Sequence, residues 1–325
     1  MSRIFDALQR LESERSQSDS EAPTHGHELL KRAEDLAASK WKDQAAPRDH
    51  STEPAMERNA LHQADGAPLQ SPTVAESAER QHLSVEERRK ALSQFKSVPI
   101  SLSSQSRLVC LTDRESPTAE ALRLLGVRLR DLRRQKPLKR VLITSTIPQE
   151  GKSTISGNLA CTLSHATEER ILLVEGDLRR PSLSRMFGLQ VTSGICDYLQ
   201  DRASLQQSVY HLEGASLWML PAGHASSNPL ELLQSPKLQM LMDKLATYFD
   251  WIIIDSPPVL PLADTSIWMR IADGIFLVTR QGTTEKRQLQ KGLEALDPQK
   301  TLGALLNGSI ASAYSGYYYR AANRS

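Results

Sequence analysis

Cysteine is scarce in this chain: there are three, Cys110, Cys161 and Cys196, far apart and odd in number. That excludes a disulfide framework and a CxxC-type metal site, and leaves small buried hydrophobes in a reducing compartment as the plain reading. Aromatic residues make up 5% of the chain, and residues 1 to 105 hold only Phe5, Trp41 and Phe95. No run of about eighteen apolar residues occurs, and the N-terminus has no apolar core of the signal-peptide kind. The expected location is therefore cytoplasmic, with any attachment to the inner face of the plasma membrane made through a partner. Neither charge dominates: 40 Lys and Arg stand against 38 Asp and Glu, a formal net +2 without a long basic stripe, so nucleic acid is not an expected partner.

What is present is distributed unevenly. A chain of 325 residues with 39% hydrophobic content can build one large or two ordinary domains. From Ser16 to Arg80, however, Ser, Glu, Gln, Ala, Pro and His prevail, a composition that cannot bury enough apolar surface to offset the entropy of ordering. Residues 16–105 are expected to be a mostly disordered linker. Before it, residues 1–15 place Ile4, Phe5, Leu8 and Leu11 on one helical stripe with Ser2 as N-cap, either a docking helix or a frayed end.

From about Leu108 the texture changes. Pro117 to Lys136 has Leu122, Leu125, Leu129 and Leu132 at helical spacing, with Gly126 in the middle. Buried strands are expected at Val141–Thr144, Arg170–Glu175, Ser216–Leu220, Trp251–Asp255, Gly274–Thr279 and Thr301–Asn307. Helices are expected between them at Thr154–Leu163, Asn228–Tyr248, Ala263–Ile271 and Thr284–Leu296. Near-continuous apolar strands alternating with helices predict an α/β fold, a mostly parallel sheet covered by helices on both faces, over residues 106–310. Ligands of such sheets sit beyond the carboxyl ends of the strands.

The stretch VLITSTIPQEGKSTISGNLA runs from a strand into a helix through a loop carrying Gly151, Lys152 and Ser153. At such a junction backbone N–H groups and the positive helix N-terminus face one spot, Lys152 can reach β- and γ-phosphates, and the Ser153 hydroxyl can ligate Mg²⁺. The generic phosphate-loop pattern has its first Gly where this chain has Thr146, so only the GKS half matches. Two further strands end in acids: ILLVEGDLRRP places Glu175 and Asp177 past a strand, and FDWIIIDSPP ends its strand at Asp255. Any one of these carboxylates could merely cap a helix. Three at one edge point to phosphoryl transfer, with Asp255 holding Mg²⁺ through water, Asp177 beside the metal and the transferred group, and Glu175 accepting a proton. The tail AYSGYYYR, in residues 311–325, holds four of the seven tyrosines, Tyr314, Tyr317, Tyr318 and Tyr319. They suit either an interface or a string of acceptor phenols.

Together these residues resemble the bacterial tyrosine kinases of capsule and exopolysaccharide biosynthesis. STIPQEGKST is similar to that family's phosphate loop, LLVEGDLRRP to its second acidic motif, WIIIDSPP to its Walker B, and PAGHASSNPLELLQSPKL to the segment preceding it. The resemblance implies a P-loop NTPase fold of the deviant-Walker type, ATP and Mg²⁺ as cofactors, and autophosphorylation in trans on the four tail tyrosines. It implies nucleotide contacts from Pro148, Gln149, Glu150, Gly151, Lys152, Ser153, Thr154 and Arg179. Ser153, Asp177 and Asp255 become the metal set, and Lys152, Glu175, Asp177 and Asp255 the catalytic set. Asn307, at the end of the last strand, is either an adenine contact or a strand-end turn. The implied partners are a membrane-anchored polysaccharide chain-length or co-polymerase adaptor, supplied as a separate protein, and further copies of the chain. Three positions depart from the family or its relatives. Glu175 stands where the family has Asp, and Gly126 replaces the second Arg of an ExxRxxR helix that Glu120 and Arg123 otherwise match. Ile147 occupies the place of the signature Lys of partition ATPases. The alternative reading is a nucleotide-switched ATPase that controls a polysaccharide-export partner without phosphorylating anything.

Overall fold

Residues 84–103, 106–166, 169–260 and 263–308 are described by a computed structural model. The expected helix over residues 1–15 and the tail tyrosines lie outside them. All the described residues fall in one unit, Glu79–Ser325. It opens with helix α1 (Val85–Leu92) and strand β1 (Lys96–Pro99), then α2 (Val109–Thr112) and α3 (Pro117–Gln135). Next, β2 (Arg140–Ser145) runs through the GKS loop into α4 (Lys152–Ala166), followed by β3 (Ile171–Glu175) and the short helices α5 (Leu183–Met186), α6 (Ile195–Leu199) and α7 (Leu205–Ser208). The hairpin of β4 (Tyr210–Glu213) and β5 (Leu217–Leu220) leads to α8 (Pro229–Gln234), α9 (Pro236–Tyr248) and β6 (Trp251–Asp255). The chain then alternates through α10 (Asp264–Ile271), β7 (Gly274–Arg280), α11 (Lys286–Glu294) and β8 (Thr301–Asn307).

The strands form one eight-stranded sheet in the order β1-β4-β5-β3-β6-β2-β7-β8. Every pairing is parallel except β4 with β5. Alternation explains why the central strands are apolar throughout. Ile252 and Ile254 of β6, Leu172 and Val174 of β3, and Leu142 of β2 pack on one face with Leu241, Leu245 and Trp268 of α9 and α10. Their neighbours Trp251, Ile253, Ile171, Leu173, Val141 and Ile143 pack on the other with Leu122, Leu129, Leu159 and Leu163 of α3 and α4. Each side chain taken fully out of water in this way contributes about 1.5–3 kcal/mol. The sheet is thus covered on both faces, as its near-continuous hydrophobic strands require.

Two expectations need correction. The linker does not extend to residue 105, because Ser84 and Glu87 form a capping box, with Glu87 N donating to Ser84 Oγ at 3.2 Å and Ser84 N to Glu87 Oε2 at 2.8 Å. That nucleates α1 in a stretch whose overall composition is polar. Phe95 then stacks on Phe249 at 6.4 Å, and β1 joins the sheet beside β4. The helix expected over Asn228–Tyr248 is two helices broken at Ser235, which precedes Pro236 and takes extended dihedrals (φ −65°, ψ 141°). Cys110, Cys161 and Cys196 are free and buried. None of the described helices is long and apolar enough to cross a membrane.

Candidate nucleotide and phosphoryl-transfer site

Strand register brings the acids to the loop. Asp255 pairs with Ile143 of β2 on one side and with Glu175 of β3 on the other, so β3 and β6 end level with each other, two residues short of Ser145, where β2 leads into the loop. Gly176 is needed just beyond, since an added Cβ would lie 2.8 Å from the Asp255 carbonyl oxygen and 2.9 Å from the Trp268 ring. In the loop, Gln149 (φ 69°) and Gly151 (φ 96°) take left-handed backbone conformations, a geometry that turns successive N–H groups to one side. A Cβ on Gly151 would sit 2.0 Å from Asn307 Nδ2. α4 begins at Lys152, which sets its N-terminal amides against the same concavity.

Lys152 Nζ lies 2.9 Å from Asp177 Oδ2, both side chains nearly buried, and 3.4 Å from Ser153 Oγ. Burial pulls the Lys152 ammonium down, but Asp255 and Asp177 outweigh it and hold its pKa above the ordinary value. Asp255 is fully buried. Its Oδ1 accepts from Ser156 Oγ at 3.4 Å, and its Oδ2 has no hydrogen-bond partner among the described residues. Burial pushes its carboxyl up to about 7 against the pull of Lys152. An orphaned buried carboxylate oxygen beside a hydroxyl and an ammonium suits a cation that brings further ligands with it. Mg²⁺ binds in this way, through one or two carboxylates plus phosphate oxygens and water. No group of three or more His, Cys, Asp or Glu able to hold a metal by itself occurs among the described residues.

Four expected site residues do other work. Glu175 is buried, and its oxygens accept from Leu183 N (2.6 Å), Ser184 N (3.2 Å), Ser184 Oγ (2.6 Å) and Ala222 N (3.1 Å). It ties α5 and the exit of β5 to β3 and presents no free carboxylate to an incoming group. Arg179 forks onto Asp264 of α10, Nε to Oδ2 at 2.8 Å and Nη2 to Oδ1 at 3.1 Å, instead of facing the loop. Glu150 turns inward, accepting from Ile147 N at 2.7 Å and from the Thr284 hydroxyl. Asn307 Nδ2 donates to the Glu150 carbonyl oxygen at 2.8 Å, so it braces the loop; it is not a free strand end. Pro148 and Gln149 are exposed, and Thr154 lies half-buried in the first turn of α4. Sequence reading missed Ser156, Thr284 and Arg280, whose Nη1 donates to the Gln149 carbonyl oxygen at 3.4 Å. A local signal existed only for Ser156, one turn along α4 from Lys152. Gly126 is buried with its Cα side toward Leu163, and an added Cβ would lie 3.4 Å from Leu163 Cδ2.

Comparison with known proteins bears on this geometry. A family model described as an AAA domain matches residues 149–297. The chain is 35% identical over 217 residues to the tyrosine-protein kinase YwqD of Bacillus subtilis (strain 168), covering 66% of this chain and 91% of that protein. Among solved structures it resembles the chimerical protein CapA2B2, with 28% identity and a TM-score of 0.59 over 69% of this chain and 98% of that one. It also resembles the BceF tyrosine kinase domain, with 28% identity and a TM-score of 0.56 over 69% and 86% of the two chains. With the phosphate loop, the Lys152–Asp177 pair and Asp255 gathered at one sheet edge, these likenesses lead to one conclusion: the chain belongs to the bacterial tyrosine-protein kinases.

Proposed function

We propose that this chain moves the γ-phosphoryl group of ATP onto tyrosines of its C-terminal tail, Tyr314, Tyr317, Tyr318 and Tyr319, in trans between copies. The observation that carries the reading is the Lys152–Asp177 pair at 2.9 Å beside the unpartnered, buried Oδ2 of Asp255. In this reading the amides of Gly151 to Thr154 and the Lys152 ammonium hold the β- and γ-phosphates, a preorganised charge at the place where the transition state needs it. Mg²⁺, held by Ser153 Oγ, Asp177 and Asp255, would neutralise charge on the transferred group. With Glu175 committed to α5 and Ala222, Asp177 is the carboxylate we assign to orient the incoming phenol. Arg179 and Asn307 act at one remove, by fixing α10 and the loop.

The wider setting is part of the same proposal. The catalytic unit begins at residue 84, preceded by a linker from residue 16 and a docking helix in residues 1–15, and followed by a tail from residue 311. The kinase is cytoplasmic and works at the inner face of the membrane through a separate, membrane-anchored adaptor of the chain-length-regulating kind, controlling exopolysaccharide or capsule export. The chimeric nature of CapA2B2 supports a second component. Incubating the purified chain with ATP and Mg²⁺, with and without such an adaptor, and mapping phosphate by mass spectrometry tests the reading; phosphate on the tail tyrosines is expected. A second reading, a nucleotide switch without transfer, draws on the commitment of Glu175. Under it, ATP turnover and control of a partner survive replacement of all four tail tyrosines by Phe.

A further inference from the structure

Three non-glycine residues among the described ones hold left-handed backbone conformations: Gln149 (φ 69°), Asp201 (φ 58°) and Ser216 (φ 52°). Asp201 and Ser216 lie in exposed turns, where a short polar side chain can bond to nearby backbone. Gln149 has no such local bond to offer, and it stands in the phosphate loop, three residues before Lys152. A backbone held this way persists only where its surroundings over-determine it, and at a ligand loop it is a lead to function.

The surroundings that hold it belong to β7, the turn after it and the end of β8. Arg280 Nη1 donates to the Gln149 carbonyl oxygen at 3.4 Å, and Asn307 Nδ2 to the Glu150 carbonyl oxygen at 2.8 Å. The Thr284 hydroxyl donates to one oxygen of the Glu150 carboxylate, whose other oxygen accepts from Ile147 N at 2.7 Å. These braces are tied to one another, since Arg280 N donates to Thr284 Oγ1 at 3.1 Å and Gln281 N to the Asn307 carbonyl oxygen at 3.0 Å. None of them uses an N–H of residues 149–153, so the donors that a phosphate needs stay free. The bonds are unequal. Glu150 is fully buried, and Thr284 and Asn307 are half-buried. Arg280 is exposed, its bond is the longest of the set, and its stem lies along the exit of β8, where a Cβ on Gly308 would be 3.7 Å from Arg280 Cγ.

We propose that Arg280 is a positioning residue for nucleotide binding: its guanidinium holds Gln149 left-handed and thereby keeps the loop's N–H groups converged on the site of the β- and γ-phosphates. When that bond is lost, Gln149 relaxes to the ordinary negative φ and its neighbouring N–H groups diverge. Only a fraction of molecules is then competent to bind, and the apparent affinity falls by that fraction. The inference rests on the nucleotide-binding half of the kinase reading and does not require transfer to tyrosine.

A double-mutant cycle in the full chain tests it, with the Kd of ATP and of ADP measured by titration at fixed Mg²⁺. Arg280→Ala should weaken both nucleotides by about tenfold, the equivalent of about 1.4 kcal/mol, because the loop holds the β-phosphate of each. In tail labelling the loss should appear in KM for ATP and not in kcat. Glycine enters the left-handed region without penalty, so in a Gln149→Gly background the same Arg280→Ala change should cost less than about twofold. Both side chains are exposed, which leaves the fold intact in all four proteins. An equal cost in the two backgrounds overturns the proposal and assigns Arg280 to direct contact with the nucleotide; no cost in either overturns it and makes Arg280 an idle surface residue. Coupling between the two positions in a chain that labels no tyrosine would remove the transfer reading alone, and labelling without coupling would remove the brace alone. A chain that binds neither nucleotide overturns both.

Discussion

Replacing Asp255 by Asn probes the electrostatic core of the site. Asp255 is fully buried, its Oδ2 is unpartnered among the described residues, and burial holds its carboxyl at about 7 instead of 3.8. Between those two values the folded protein keeps a proton that the unfolded chain has released. The stabilisation from this group is therefore fully present below about pH 4 and is lost as pH rises to about 7. The gap corresponds to about 4 kcal/mol. Asn removes the charge, but its amide N–H groups meet no acceptor where Oδ2 stands, a cost of about 1–3 kcal/mol. Above pH 7 the variant should be more stable by about 1–3 kcal/mol, and at pH 4 it should be the less stable of the two. Denaturant unfolding of both proteins at several pH values measures this. The difference between them should climb by about 1.4 kcal/mol per pH unit from pH 5 to 7 and then level off. Subtraction removes titrations common to both, such as those of Asp197 and Asp250, which hydrogen bonds hold low in spite of burial. A difference that stays flat from pH 5 to 8 would refute the argument.

Other expectations follow from single contacts. Lys152→Met should abolish labelling and, by leaving Asp177 buried without its partner, cost about 3–5 kcal/mol at pH 8, read by unfolding. Glu175→Gln removes an acceptor from two of four donors and should cost about 2–4 kcal/mol of stability, yet label within about threefold of the parent per folded molecule. A hundredfold loss in protein shown to be folded would return Glu175 to the role of base. Asn307→Ala frees the Glu150 carbonyl and should weaken nucleotide binding about fivefold in a titration at fixed Mg²⁺, the worth of about one hydrogen bond.

How much was legible in the sequence depended on how local the cause is. β6 has the bounds expected of it, because a fully buried strand must be apolar along its whole length; β8, at the edge of the sheet and only partly buried, also keeps its expected bounds. β1 and β4, KSVP and YHLE, are too short and mixed to announce themselves; they are strands because neighbours pair with them. The gathering of Lys152, Asp177 and Asp255 could be read, since strand ends in a parallel sheet share an edge. The tasks of Glu175, Arg179 and Asn307 could not be read. Their partners lie 47 residues away at Ala222, 85 at Asp264 and 157 at Glu150, and nothing local encodes those distances.

Transfer between copies, from the site built around Lys152 and Asp255 to the tail, is the central claim, and one mixed labelling experiment addresses it most directly. Asp255→Asn serves as an inactive acceptor that remains folded, and a chain with Tyr314, Tyr317, Tyr318 and Tyr319 all changed to Phe serves as donor. The two are combined with ATP and Mg²⁺, with the adaptor present, and phosphate is mapped by mass spectrometry. Phosphate on the tail tyrosines of the Asp255→Asn chain, and none when either protein is incubated alone, is the predicted result. An acceptor tail that stays unmodified while the unaltered chain labels itself would contradict transfer in trans, and an unlabelled tail in every mixture would contradict the kinase assignment of this site.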